Sequence, residues 1–254
     1  MRAYLAFTKK EFIENLRTYK LLILLAVFLL FGVMSPLVAK LVPEIMQNLG
    51  IGGIKITLPE ATAMDSWVQF FKNVGQIGLL VLAVVFAGIM SNEFSRGTLV
   101  NVLTKGLKRH TVIFSKLTAA ALIWTMSYLL CLAVTYGYTV YFWDMGELQH
   151  VFLAFFSMWL FGLLLVVLLI LGGTLFKTFI GSLLLAGGAV VVMTLLNISP
   201  KIQKYNPVTL CGDNTALLTG AKDVSDFIPA VIICIALVVA LTTVSVVAFD
   251  RKQI

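Results

Sequence analysis

The sequence is poor in charge. Of its 254 residues 12% are Asp, Glu, Lys or Arg, about half the fraction of an average soluble chain, while 60% are apolar. Histidine and cysteine are also scarce: two histidines, His110 and His150, and three cysteines, Cys131, Cys211 and Cys234. Three scattered cysteines cannot make a disulfide scaffold, and without a CxxC pair they offer no zinc or redox site of familiar spacing. Neither a GxxxxGK[ST] phosphate loop nor an HExxH helix is present, which excludes P-loop nucleotide hydrolysis and zincin chemistry. Mean hydropathy is +1.00. Lipid is the solvent this composition fits.

The charges that do occur are placed unevenly. Six runs contain no Lys, Arg, Asp, Glu or His: 21–38, 74–90, 117–143, 151–176, 179–196 and 228–249. All 31 formal charges fall outside them, at about the density of water-exposed protein. As a helix each run is long enough to cross a hydrocarbon core, which takes about 20 residues. Continuous apolarity is not the alternation of a barrel strand, and lipid permits only helices or closed barrels. The expected fold is an all-α membrane protein, one transmembrane domain over 1–254 with six spans. The first run reads as a span rather than a cleaved leader, because twenty residues precede it and its 18 residues exceed a usual leader core.

Orientation follows from the basic residues. Thirteen Lys and Arg fall on the side of the two chain ends and six on the other; acids divide four against eight. The positive-inside bias places both termini in the cytoplasm. It also assigns the net charge of +7 to a membrane surface rather than to nucleic acid. Tyr136, Tyr138, Tyr141 and Trp143 then form an aromatic belt at the outer end of the third span.

Between the spans the sequence is punctuated. Residues 1–20 read as an interfacial helix with Leu5, Phe12, Leu16 and Tyr19 on one side and Glu11, Glu14 and Thr18 on the other, interrupted by Arg2 and Lys9. A basic topology signal without fixed structure is the competing reading. In the first outer segment, 39–73, Pro43, Gly50, Gly52, Gly53 and Pro59 mark turns, and 60–71 can run as a helix into the second span. Gln69, Asn73 and Gln76 then share one face. They are either ordinary interfacial polar residues or the upper wall of a translocation path. The segment 197–227 mixes Pro200, Pro207, Gly212 and Gly220 with apolar residues, the pattern of short helices dipping back toward the bilayer. Gly181, Ser182, Ala186, Gly187 and Gly188 in the fifth run, with Gly172 and Gly173 in the fourth, predict a close helix-packing seam.

No catalytic or coupling-ion chemistry is available inside the bilayer. The two histidines lie on opposite sides, and no span carries a carboxylate. Ion-driven carriers keep ionisable residues or broken helices near the midplane, where coupling ions bind. Uphill movement by this chain would take its energy from outside the bilayer, with any ATPase on another polypeptide. The inner loop 91–116 is the place to receive it: a short helix starting near Ser91 or Asn92, broken at Gly97, with Glu93 and Arg96 able to pair at i and i+3. A solvated basic loop serving topology alone is the plainer alternative.

In that loop Glu93, then Arg96-Gly97-Thr98-Leu99, Leu103-Thr104 and the basic Lys108, Arg109 and Lys116 resemble the permease subunits of type-2 ABC exporters. The six-span plan, the interfacial first helix and the long segment before the last span carry the likeness across the chain. Many relatives have a proline soon after the position of Thr104; here Lys105-Gly106-Leu107 follows. The resemblance implies a half-transporter. Two permease chains, identical or different, pair around a path lined by the second and fifth spans, and each docks on a separate ATP-binding subunit that holds the ATP and magnesium. Carried over, Glu93, Phe94, Arg96, Gly97 and Thr98 form the coupling contact. This chain would itself bind no cofactor and be no enzyme. A path walled by Phe, Leu, Val and Met favours amphipathic or lipid-like cargo. Short permeases of this kind resemble exporters of toxic or antimicrobial peptides in the cytoplasmic membrane of Gram-positive bacteria. Hydrophobic drugs are the next cargo class. An uncoupled channel or immunity protein, or a structural assembly subunit, are the competing functions.

Overall fold

The computed structural model describes residues 2–49, 60–104, 106–146 and 148–252, and among them it is helical with no strand. Helix α1 (Arg2–Arg17) precedes α2 (Lys20–Leu49). The second span is one continuous rod made of α3 (Ala63–Lys72), a π-helical turn (Asn73–Gly78), α4 (Leu79–Phe86) and α5 (Gly88–Ser95). A short α6 (Thr98–Thr104) leads to α7 (Arg109–Phe142), α8 (Val151–Phe176) and α9 (Phe179–Leu196). Three short helices, α10 (Pro200–Gln203), α11 (Thr209–Gly212) and α12 (Asn214–Leu218), precede α13 (Val224–Asp250). Six of these rods are long and apolar enough to cross a membrane, so both ends of the chain share one side, called here the terminal side.

The core is organised around α8. This helix is apolar on every face, a pattern that demands burial all round, and 18 of its 26 residues are buried. It packs against α9, α13, α4, α5 and α7. Glycines set how closely these helices come: a Cβ on Gly162 would lie inside the Trp124 indole, and one on Gly172 would meet the Ser182 backbone at 2.9 Å. The predicted seam in α9 is split. Gly181, Ser182 and Ala186 are buried, with the Ser182 hydroxyl donating to the Leu169 carbonyl at 2.7 Å. Gly187 and Gly188 look outward and touch nothing.

Prolines behave differently from their reading as punctuation. Helix α2 runs through both Pro36 and Pro43 to Leu49. Proline at 36 has no N–H to give to the carbonyl of Gly32. That carbonyl instead accepts a hydrogen bond from the Thr135 hydroxyl of α7, at 3.2 Å. A neighbouring helix thus satisfies the freed group, the arrangement lipid requires. Residues 50–59, with Gly50, Gly52, Gly53 and Pro59, lie outside the described residues. Helix α3 begins at Ala63, where the Asp65 carboxylate accepts from the Thr62 N–H at 2.8 Å and its hydroxyl at 2.9 Å.

The segment after α9 forms short helices packed on α8 and α13. Leu210, Leu217 and Leu218 are buried. Asn214 donates to the Ala154 carbonyl and the Ser157 hydroxyl, both at 2.8 Å. Protein therefore covers this irregular backbone.

A clear test separates the two halves of the seam. Gly172→Ala must push α8 from α9 and is expected to cost about 1–3 kcal/mol, the usual price of overpacking. Gly187→Ala, with open space around it, is expected to leave the unfolding midpoint of the solubilised chain unchanged. Thermal unfolding in one detergent reads both.

Candidate functional site

Charged residues converge on the terminal side. Helix α5 extends the second span beyond its apolar stretch, and the chain then reverses at Arg96 and Gly97. Gly97 sits at φ 63°, a left-handed conformation that favours glycine and ends the helix. Gly106, at φ 86°, ends α6 in the same way. The predicted loop 91–116 is thus largely helical: the end of α5, all of α6 and the first two turns of α7. Its helical start is not a separate capped helix, because the second span continues unbroken to Ser95.

Helix α1 presents to the bundle the face that looked polar. Phe7, Glu11 and Asn15 are buried, whereas Leu5, Ile13 and Leu16 are exposed on the bare chain. An interfacial helix has two partners: the apolar stripe is left for lipid and the polar stripe for protein. Tyr4 reaches Thr118 at 2.6 Å, and the Ser115 hydroxyl donates to the Tyr4 carbonyl at 3.4 Å, fixing α1 along the start of α7.

At the centre is Lys116, whose side chain is 2% exposed. Its ammonium donates to Glu11 of α1 at 2.8 Å and to Glu93 of α5 at 2.9 Å, both buried. Lys10 closes the network from α1, contacting Glu14 at 2.5 Å, Glu11 at 3.0 Å and Glu93 at 3.2 Å. Burial works against the Lys10 charge, but the Glu14, Glu11 and Glu93 carboxylates outweigh it and raise its pKa above the ordinary lysine value. The remaining Glu93 oxygen accepts from the Thr98 hydroxyl at the start of α6. One carboxylate therefore joins α1, α5, α6 and α7. The carboxylates of Glu11, Glu14 and Glu93 stand close enough to suggest a cation site, and the two lysine ammoniums already neutralise it. Beside the network lies a cavity of about 330 Å³, lined also by Lys20, Asn92 and Arg96.

A second set of contacts ties this cluster to the rest of the terminal side. Arg109 donates to the carbonyls of Phe249, Asp250 and Lys252, capping α13, at 2.8, 2.9 and 2.6 Å. Lys252 in turn donates to the Leu175 carbonyl at 2.7 Å. The Phe94 ring packs edge-on against Phe249, and the Lys177 ammonium lies 5.3 Å from its centre.

The residues singled out in the sequence therefore have distinct surroundings. Glu93 is buried and pairs with Lys116 rather than Arg96; Thr98 is half-buried beside it; Phe94 is half-buried against α13; Arg96 and Gly97 form the exposed tip. Gln69, Asn73 and Gln76 lie far away toward the opposite side. Gln69 and Asn73 are half-buried, and Asn73 donates to the Ser35 hydroxyl at 3.0 Å. The π turn is wider than an α turn and carries Gln76, which is exposed, out of that row. In the sequence Lys116 reads only as a basic residue entering the third span and Glu11 only as part of the polar face of the first helix, and nothing there pairs either.

A chain of six spans with a charge-clamped reversal between the second and third matches a known family along almost its whole length. Residues 5–254 match the family model described as ABC-2 family transporter protein. The chain belongs to the ABC-2 transporter family. It is also 21% identical over 259 residues to the uncharacterized transmembrane protein YxlG of Bacillus subtilis (strain 168), covering all of this chain and 99% of that protein. As a family member it is a multi-pass membrane permease of an ABC transporter, of a kind that generally pairs with an ATP-binding subunit.

The network predicts an asymmetric response to substitution. Lys116→Met leaves the buried Glu11 and Glu93 carboxylates to the half-exposed Lys10 alone and is expected to cost at most about 3–5 kcal/mol, the loss for a wholly unpaired buried charge. Neutralising all three partners in Lys116→Met/Glu11→Gln/Glu93→Gln is expected to recover much of that loss. Heating the detergent-solubilised variants and measuring the monodisperse fraction checks the order.

Proposed function

We propose that this chain is the permease half of an ATP-driven exporter in a bacterial cytoplasmic membrane, with its termini inside. A separate ATP-binding subunit docks on the terminal-side platform, and two permease chains, identical or different, enclose the path. The cargo is amphipathic or hydrophobic, with a toxic or antimicrobial peptide the foremost class and hydrophobic drugs second. The observation that carries this reading is the clamp on Glu93. A helical reversal at the end of the second span that is salt-bridged to the third span and to the interfacial helix can pass a push from outside the bilayer to the bundle.

The contact divides between tip and root. Arg96 and Gly97 are exposed and meet the partner; Glu93, Thr98 and Phe94 hold the reversal against α7 and α13. A mechanical link needs stiffness at its root and complementarity at its tip, and these residue types supply each. The six charge-free runs contain no Asp, Glu, His, Lys or Arg to couple an ion gradient, which supports an external source of energy. ATP and magnesium are then held by the partner subunit, and this chain performs no hydrolysis.

Reconstitution tests the reading. Vesicles containing the permease with its ATP-binding subunit are expected to move an amphipathic peptide only with hydrolysable ATP, and vesicles with the permease alone to be inert. Arg96→Glu is expected to weaken co-purification of the two subunits at least tenfold while leaving the permease folded. Movement by the permease alone would instead favour an uncoupled channel or immunity protein.

A further inference from the structure

On the opposite half of the molecule, α7 and α8 diverge and leave an apolar groove open to the membrane. Two adjoining cavities of about 620 and 700 Å³ share Leu129, Leu132, Val151 and Phe155 as walls. Along α7 the groove runs from Tyr136 to Thr125. Eleven residues of helix rise about 16 Å, roughly half of a 30 Å hydrocarbon core. Its depth is therefore that of one leaflet.

Polar side chains stand at both ends of the groove, and the two ends differ in how those groups are paired. At the deep end each polar group is used: the Trp159 N–H donates to the Thr125 hydroxyl at 2.9 Å, and the Tyr128 hydroxyl donates to the Phe155 carbonyl at 3.0 Å. At the mouth stands Trp67, 1% exposed, its ring held edge-on against Phe155 and Phe70. The Trp67 indole N–H is buried and has no acceptor among the described residues. Such a group costs about 1–3 kcal/mol unless something accepts its proton. Its level in the membrane is fixed by its neighbour: the Ser66 hydroxyl contacts that of Thr139 at 2.7 Å, within the Tyr136 to Trp143 aromatic belt. That belt marks the headgroup boundary.

We infer that the groove holds one acyl chain of a phospholipid from the leaflet opposite the termini, with an ester carbonyl of that lipid accepting from the Trp67 N–H. A diacyl lipid has the two features the groove asks for: a hydrocarbon tail one leaflet long and an acceptor without a proton at its interfacial end. Bare alkane fills only the first, and an amphipathic peptide would bring backbone N–H groups into a groove whose deep end offers no acceptor. The site depends on the membrane-spanning fold and not on the direction or cargo of transport.

Native mass spectrometry of the full chain tests this, using added dipalmitoyl phosphatidylcholine and its dihexadecyl ether analogue, which lacks the ester carbonyls. The wild type is expected to retain one diester lipid per chain and to hold it roughly two- to tenfold better than the diether, the worth of one hydrogen bond. Trp67→Phe, which keeps a ring in the aromatic cluster, is expected to abolish that preference. Leu132→Trp fills the groove and should remove the retained lipid, whereas Leu184→Trp, on the exposed face of α9, should not. Equal retention of diester and diether by the wild type would overturn the inference. So would full retention in Leu132→Trp, or an added amphipathic peptide occupying the groove in place of lipid.

Discussion

The structure depends on a lysine that has been taken out of water. Lys116 sits where α7 enters the bundle, and an ammonium at that depth is tolerated only because carboxylates from two other elements reach it. Lys10 stands as a second cation beside both acids. The interfacial helix is held in place by Glu11, the reversal after the second span by Glu93, and both by the same nitrogen. Remove the cation and two buried acids are left to Lys10 alone; remove all three and the elements lose their buried charged link, though the helices and the contacts of Tyr4 and Phe94 persist. A buried ion pair is a weak source of net stability but a strong source of register, and register between the reversal and the spans is what a transmitted push requires.

Around that clamp, backbone ends and rings complete a continuous terminal-side surface. Arg109 and Lys252 close the carbonyl ends of α13 and α8, and Phe94 wedges against Phe249. The ends of α5, α8 and α13 are therefore linked on one side, while toward the opposite side the short helices α11 and α12 pack on α8. The span between is nearly free of charge. In the proposed mechanism force enters at one surface, and an uncharged bundle packed through glycine contacts at Gly162 and Gly172 can shift as rods without exposing unpaired ions.

Much of this was legible in sequence because lipid punishes charge so heavily. Runs without a single Lys, Arg, Asp, Glu or His read as spans, and their number and order are those of the structure. The break at Gly97 was readable because glycine alone adopts its φ cheaply. What escaped were long-range and context effects. Lys116 looked like one more topology charge, since its partner Glu11 lies 105 positions away. The trace that could have exposed it was Glu11 and Asn15 on the face of α1 that carries Tyr4 and Phe7, a mixed polar stripe that water alone does not need. Pro43 reads as a turn in water, yet α2 continues through it. The π turn at Asn73–Gly78 moved Gln76 off a face that α-helical spacing had assigned it.

The central claim is that the clamp, rather than the exposed tip alone, carries the stroke. The direct measurement is the ratio of peptide transported to ATP hydrolysed by the reconstituted permease with its ATP-binding subunit, for the wild type and the fully neutral Lys116→Met/Glu11→Gln/Glu93→Gln variant. The account predicts hydrolysis near the wild-type rate with transport reduced at least tenfold, a motor running without its load. An unchanged ratio would contradict it.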